Sequence, residues 1–249
     1  MSMLGPYASW NKETGYAVWD HPTAEYTGIF ERINVGIKGI IHVGMWDFVE
    51  YGCYTKLVGN KVVGVEANPD VYKTMAKPVA DQWGFKCFNE FTSDKDGEVR
   101  NFYFAGEGSS LYQGQPAWNK HTSIKVQTKT LATVLDENSI DPAEYDFLNI
   151  DAEGSELDIL KGYERYLNHV NVIDLETSYD DRHLSGASHD KIASWLSERG
   201  FELKEQSPTY DSQQWGDSVF VRVDRELPPF VDGNAGNAIY GEKYLENSR

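Results

Sequence analysis

Residues 146–156 read DFLNIDAEGSE, a short apolar run that closes on an acidic, glycine-containing turn. Other short apolar runs close in a similar way, on a glycine, an asparagine or an acid: IIHVG (40–44), VVGVE (62–66), FKCFN (85–89) and VIDLE (172–176). Between the runs lie stretches with helix signals: 47–58, 69–80, 130–138, 155–166 and 188–199. Short buried strands that alternate with helices are typical of βαβ units. The sequence therefore predicts an α/β fold with a doubly wound, mostly parallel sheet.

The rest of the chain surrounds this pattern. FELKEQ (201–206) and SVFVRV (218–223) predict the last two strands, and VRNFYF (99–104), which follows the turn SDKDGE (93–98), predicts a hairpin added after the third strand. Residues 1–38 are rich in aromatics but lack a sustained period, which predicts an arm or lid rather than a regular core element. We expect residues 39–223 to form the domain and 224–249, which contain Pro228-Pro229, to form a tail.

Length and charge limit the function. A chain of 249 residues can bury one large core without disulfides or a structural metal. The chain has 39 Asp and Glu against 23 Lys and Arg, a formal net charge of −16, and such a surface disfavours a nucleic-acid partner. Cys53 and Cys87 stand alone, and no apolar run is long enough for a bilayer. We expect a cytoplasmic protein without a membrane partner.

Polar side chains interrupt strands that should be apolar on both faces. His42, Asn149 and Asp174 each lie two residues before the end of their run. Because side chains alternate along a strand, each shares a face with the residue that closes its run. Neighbouring strands would place the three in a hydrogen-bonded row beneath the ligand-binding edge of the sheet. The row is either part of the site or a satisfied network in the core.

Gly44 and Glu66 close the first two runs and suggest a nucleoside site. A glycine at the first strand end lets backbone approach a ligand, and a carboxylate about twenty residues later can accept both hydroxyls of a ribose. Phe48 and Val49 occupy the places of the further glycines in GxGxxG, which disfavours a pyrophosphate and hence a nicotinamide-dependent oxidoreductase. The alternative for Glu66 is a solvated loop acid.

The segment 146–156, with Leu160-Lys161-Gly162 after it, resembles the FkbM-type family of S-adenosylmethionine-dependent methyltransferases and its signature D-x-(I/L)-K-I-D-x-E-G-x-E…L-x-G. Further similar segments are IHVGM (41–45), VVGVEANP (62–69), NEFTSDKDGEV (89–99), Ser109-Ser110-Leu111, VQTKTLATVL (126–135) and VIDLETS (172–178). The resemblance implies a seven-stranded, Rossmann-like class I methyltransferase sheet with an antiparallel last strand. It also implies O-methylation of a hydroxyl on a sugar, glycan or glycosylated small molecule. Met45-Trp46-Asp47-Phe48 replaces the usual glycine-containing loop, and Asn149 replaces a frequent lysine.

The resemblance also implies roles for individual residues. Asp151, Glu153 and Glu176 would bind the acceptor and remove its proton. The residues assigned to the cofactor, S-adenosylmethionine, are His42, Gly44, Asp47, Glu66, Ala67, Asn68, Asn89 and Asp151. Asp47 is also readable as a helix cap, and Glu90 would join Asn89 near the adenine. A divalent cation, not expected, would take Asp151, Glu176 and a neighbour such as Asp180, Asp181 or His183.

Three further interpretations stay open at this stage. Trp46 and Phe48 would fill the cofactor space if the chain were a non-catalytic binding or assembly protein that keeps the fold. Tyr112 and Trp118, in the glycine-rich stretch 105–123, suit the apolar face of a sugar ring, although packing on the sheet edge explains them equally well. The aromatic arm would complete a neighbouring subunit's site in a homodimer.

Overall fold

A computed structural model describes residues 8–10, 17–19, 24–48, 50–113, 122–178, 186–208 and 215–231. The strands are β1 (Ala8–Trp10), β2 (Ala17–Trp19), β3 (Ile40–Val43), β4 (Val62–Glu66), β5 (Lys86–Asn89), β6 (Val99–Tyr103), β7 (Ser123–Gln127), β8 (Phe147–Ile150), β9 (Val172–Ser178), β10 (Phe201–Pro208) and β11 (Trp215–Arg222). The α-helices are α1 (Ala24–Ile33), α2 (Tyr51–Val58), α3 (Pro69–Val71), α4 (Lys77–Trp83), α5 (Leu131–Glu137), α6 (Glu156–Tyr163) and α7 (His189–Ser197). A π-helical turn (Tyr72–Ala76) joins α3 to α4, and two 3₁₀ turns lie at Pro142–Glu144 and Glu164–His169.

Seven strands form one sheet in the order β10-β11-β9-β8-β3-β4-β5. The five from β9 to β5 run parallel to one another, whereas β11 is antiparallel to both of its neighbours, β9 and β10. Helices α5, α6 and α7 contribute to the apolar cluster on one face, and α1, α2 and α4 to the cluster on the other. The predicted doubly wound, seven-stranded sheet with an antiparallel last strand is confirmed.

Local chemistry explains where several helices begin. The Thr130 side chain accepts the Thr133 N–H at the start of α5, and Asn68 accepts two N–H groups at the start of α3, where Pro69 is the first residue. Both arrangements satisfy donors that have no partner inside the helix. The helix α3 begins three residues after the end of β4.

The segment before the sheet differs from the expected arm. Residues 24–33 form a regular helix, and Phe30 on it is 0% exposed, with its ring edge-on to Phe147 of β8 at 5.0 Å. This ten-residue helix was not predicted, because residues 1–38 show no sustained hydrophobic period. At the other end, residues 224–231 are irregular but attached, since the Gly36 N–H donates to the Pro228 carbonyl at 2.8 Å. The domain boundaries stay a prediction.

The run VRNFYF (99–104) forms a hairpin, but its partner is not the third predicted strand. β6 pairs with β7, and the two form a sheet of their own rather than an extension of β5. β7 was not predicted, because SIKVQ is exposed at four of its five positions and lacks a continuous apolar run. Among the residues that the structure describes, no helix is long and apolar enough to cross a membrane.

Candidate functional site

The ends of β3 and β8 touch at Gly44. Its N–H donates to the Val65 carbonyl of β4 at 2.8 Å, and its φ is +85°. A Cβ added at Gly44 would overlap the carbonyl oxygen of Asp151, so no other residue fits between the two strand ends. Gly44 thus permits the close packing of the β3 and β8 ends at the edge of the sheet where ligands bind in this class of fold.

Two large side chains of the loop after Gly44, Met45 and Phe48, pack in the core, whereas Trp46 is half-buried. Phe48 is fully buried, with its ring against those of His42, Tyr54 and Phe85 at 5.5–5.9 Å. Met45 is buried as well and lies where a side chain at Gly64 would otherwise be. Phe48 is therefore part of the core beneath the strand ends. This burial argues against its use as a plug of the cofactor space.

Glu66, at the end of β4, is held by backbone donors. It is 6% exposed, its Oε2 accepts the Trp46 N–H at 2.9 Å, and its Oε1 accepts the Asn68 N–H at 2.7 Å. Burial raises the pKa of Glu66, and these N–H bonds oppose the rise. Each carboxylate oxygen has a second lone pair, which fits the two hydroxyls of a ribose. Glu66 is not the solvated loop acid of the alternative interpretation.

Asn68 and Asn89 shape the turn that follows Glu66. The Asn89 side chain donates to the carbonyls of Glu66 at 2.7 Å and Ala67 at 3.0 Å, while Asn68 caps α3. Glu90 forms an ion pair with Lys129 at 2.7 Å. These bonds place Ala67, Asn68 and Asn89 together beside Glu66, and their contact with adenosine stays a prediction.

The polar row lies across the sheet in register. His42 pairs with Asn149, and Asn149 pairs with Asp174. The Tyr54 hydroxyl accepts from Asn149 Nδ2 at 2.8 Å and lies 3.2 Å from His42 Nδ1. Burial lowers the pKa of His42 to about 3, so the ring is neutral, and in the tautomer with hydrogen on Nε2 its Nδ1 accepts a hydrogen bond from the Tyr54 hydroxyl. His42 lies in the core beneath Gly44, and its predicted cofactor role stays untested.

Three carboxylates converge at the ends of β8 and β9. Asp151, Glu153 and Glu176 each offer one oxygen, and these oxygens lie within 4.8 Å of one another; we call these residues the acid cluster. The pKa of Asp151 lies well above its usual value, first because its carboxylate is desolvated and then because of the charges of Glu176 and Glu153. Burial, then the charge of Glu153, raises the pKa of Glu176 to about 8. The cluster therefore retains a proton at neutral pH, and its oxygens also suit a divalent cation.

Other acids near the cluster have different tasks. Glu156 is buried, and its Oε1 accepts the N–H groups of Ala152 at 3.2 Å and Gly154 at 2.9 Å, so it holds the acidic turn. Glu50 flanks the first residue of α2, which rules out Asp47 as that helix cap. Burial, then the charges of Asp47 and Asp217, raises the pKa of Glu50 to about 7. The sequence offered no signal for Glu50 or for Tyr54.

Several predicted site residues lie outside the described part of the chain. They are Asp180, Asp181, His183, Trp118 and Val49. Tyr112 is described, and its hydroxyl donates to Asp158 at 2.6 Å. Among the residues that the structure describes, the candidate metal ligands are those of the acid cluster.

The strand order, the glycine of the first strand end and the carboxylate of the second define a class I, nucleoside-binding α/β domain. The family model described as "Methyltransferase FkbM domain" matches residues 35–203. The chain belongs to this family, and it is an S-adenosylmethionine-dependent methyltransferase. Comparison with curated proteins gives no match.

Solved structures share the architecture at low identity. Sp1610 of Streptococcus pneumoniae in complex with S-adenosyl-L-methionine matches at 12% identity, covering 90% of this chain and 82% of its own, with a TM-score of 0.46. TrmK of M. capricolum in complex with S-adenosyl-homocysteine also matches at 12% identity, with coverages of 90% and 82% and a TM-score of 0.46. A SAM-dependent methyltransferase from Aquifex aeolicus matches at 12% identity, with coverages of 82% and 95% and a TM-score of 0.44.

Proposed function

We propose that the protein is an O-methyltransferase whose acceptor is a hydroxyl of a sugar, a glycan or a glycosylated small molecule. The observation that carries the proposal is the acid cluster: three carboxylate oxygens within 4.8 Å of one another, at strand ends where the Asp151 backbone packs on Gly44. Carboxylates accept hydrogen bonds from neighbouring hydroxyls and can take a proton from one of them. A carbohydrate presents several hydroxyls close together, which matches several acceptors close together.

The cofactor side of the site is assigned to the residues around Gly44 and Glu66. S-adenosylmethionine supplies an electrophilic methyl group on a good leaving group. Gly44 lies beneath the cofactor, Glu66 accepts from its ribose hydroxyls, and Ala67, Asn68 and Asn89 border the adenosine. The half-buried Asp47 of the first loop offers a negative charge to the ammonium of the methionine end.

The acid cluster performs the acceptor chemistry. Glu153 and Glu176 hold the hydroxyl-bearing ring by hydrogen bonds, and the deprotonated member of the Asp151–Glu176 pair takes the proton of the reacting hydroxyl. Because these two acids repel each other when both are ionised, the pair has a raised affinity for that proton. Orientation of the acceptor and removal of its proton are what the protein must supply for an in-line transfer.

The first experiment separates the enzyme from a non-catalytic binding protein. We expect calorimetry to detect binding of S-adenosylmethionine by the wild type and at least tenfold weaker binding by Glu66→Ala. The matched control is Glu144→Ala, since Glu144 is an exposed acid that pairs with Lys61 at 2.7 Å and precedes β8 instead of following a strand end. Absence of binding to the wild type at high micromolar cofactor would favour the binding protein.

The second experiment identifies the acceptor class. Methyl uptake from radiolabelled cofactor is measured on panels of glycans, glycosylated small molecules and RNA, with and without EDTA. We expect uptake on the first two panels, none on RNA because of the net charge of −16, and no loss of activity in EDTA. Uptake restricted to RNA would overturn the proposed acceptor.

A further inference from the structure

We propose that Ser110 is a positioning residue that holds Glu153 in the acid cluster, so that the β6–β7 hairpin controls the acceptor side of the site. The inference rests on the proposed function, in which Glu153 binds the acceptor. Ser110 lies 43 residues before Glu153, in the segment that follows β6.

Ser110 connects the hairpin to the acidic turn. Its side chain is buried, and Oγ donates to the main-chain carbonyl of Glu153 at 2.6 Å while accepting the Tyr112 N–H at 2.9 Å. Two main-chain hydrogen bonds with Tyr103 of β6, of 2.8 and 3.1 Å, fix Ser110 itself. These bonds fix the direction of the Ser110 hydroxyl, which points at the carbonyl of Glu153.

Glu153 has a main-chain conformation that needs such a partner. Its φ is +52°, in the left-handed region that a residue with a Cβ seldom occupies, and Gly154 follows with φ +97°. Glu156 holds the N–H groups on both sides of Glu153, those of Ala152 and Gly154. Ser110 holds the carbonyl between them. Together the three hydrogen bonds fix the main chain on both sides of Glu153 and hence the direction of its side chain.

The hairpin also reaches the Glu153 carboxylate and is tied to the helix after it. A Cβ added at Gly108 would lie 3.9 Å from Glu153 Oε2, so this loop borders the carboxylate. Arg100 of β6 pairs with Asp158 of α6 at 3.0 Å, and the Tyr112 hydroxyl donates to the same carboxylate at 2.6 Å. Because α6 begins three residues after Glu153, these bonds keep Ser110 and Glu153 in fixed relation.

The adjacent serines provide a matched pair of variants. Ser109 also uses its hydroxyl twice, donating to the Gly106 carbonyl at 2.6 Å and accepting the Ala105 N–H at 3.0 Å, but both bonds stay inside the loop. We expect Ser110→Ala to lower kcat about tenfold with the dissociation constant of S-adenosyl-homocysteine changed less than about twofold. Ser109→Ala should change both by less than about twofold. Ser110→Cys, which keeps a weak donor, should lie between the wild type and Ser110→Ala.

A double-mutant cycle separates positioning from general support of the fold. If Ser110 acts through Glu153, Ser110→Ala adds no further loss of kcat in a Glu153→Ala background. Equal losses in both backgrounds would overturn the proposal, as would an unchanged kcat in Ser110→Ala.

Crystal structures with S-adenosyl-homocysteine test the proposal without activity. We expect Glu153 to leave the left-handed region in Ser110→Ala and to keep it in Ser109→Ala. An unmoved Glu153 in Ser110→Ala would overturn the inference. A wild type that binds the cofactor product but methylates no acceptor would contradict the proposed function instead, and the crystal comparison would still decide whether Ser110 positions Glu153.

Discussion

The rate of methyl transfer should rise with pH through the pKa of the Asp151–Glu176 pair. Burial and the charge of Glu153 raise the pKa of Glu176 to about 8, with further contributions from Glu156 and Asp217. With an apparent pKa of about 8, about a tenth of the pair is in its basic form at pH 7 and about nine tenths at pH 9. If the pair removes the proton of the acceptor, kcat/KM for the acceptor rises about tenfold over this range.

The assay is an initial-rate profile from pH 6 to 9.5 at saturating S-adenosylmethionine. Glu176→Gln removes the titrating group and should flatten the profile at a low rate. The control is Glu198→Gln, an exposed acid beyond the end of α7, which should leave the profile unchanged. A wild-type rate that is constant from pH 6 to 9, or that falls as pH rises, would refute the assignment of the pair as the base.

Stability should respond to pH in the opposite direction. The folded protein binds the Glu176 proton more strongly than the unfolded chain does, because the pKa rises from 4.5 to about 8 on folding. The contribution of this group is therefore complete below about pH 4.5 and is lost as pH rises to 8. The free energy of unfolding of Glu176→Gln, measured in urea, should fall less over this window than that of the wild type.

Three substitutions test the framework of the site, and a fourth serves as a control. Gly44→Ala should abolish cofactor binding or folding, because its Cβ would overlap the Asp151 carbonyl. The control is Gly97→Ala, at φ +72° with open space around it, which should lower the free energy of unfolding by only about 1–2 kcal/mol. Tyr54→Phe should cost about 1–3 kcal/mol in urea unfolding, because it removes a partner from two buried groups, His42 Nδ1 and Asn149 Nδ2. Phe30→Ala should cost about 3–5 kcal/mol by the same measurement, and a loss below about 1 kcal/mol would mean that α1 is not part of the core.

The sheet could be predicted because its signals are local. Each parallel strand is a short apolar run, and the residue that closes the run is visible without knowledge of the rest of the chain. The polar row of His42, Asn149 and Asp174 followed from period-two alternation and the expected strand order, and the register confirms it. The expected strand order was thus enough to predict which polar residues lie side by side on neighbouring strands.

The contacts that complete the site are not local, and the sequence did not show them. Tyr54 has the helical spacing of an ordinary core residue, and only the packing of α2 on the sheet brings its hydroxyl to Asn149, 95 residues away. Ser110 reaches Glu153 across 43 residues, from the segment between β6 and β7. The pKa of Glu50 rises because folding buries its carboxylate and also brings the charge of Asp217 close to it. In each case the partner is chosen by tertiary packing, which propensity and periodicity do not encode.

The negative charge of the acid cluster should favour the cationic cofactor over its neutral-sulfur product. Three carboxylates whose oxygens lie within 4.8 Å of one another repel one another when ionised, and a positive charge beside them relieves that repulsion. We therefore expect S-adenosylmethionine to bind more tightly than S-adenosyl-homocysteine in calorimetry at low salt, and the ratio to shrink in Glu153→Gln, which removes one charge from the cluster. Equal affinities for the two in the wild type would show that the cluster does not act on the methyl-donor end of the site.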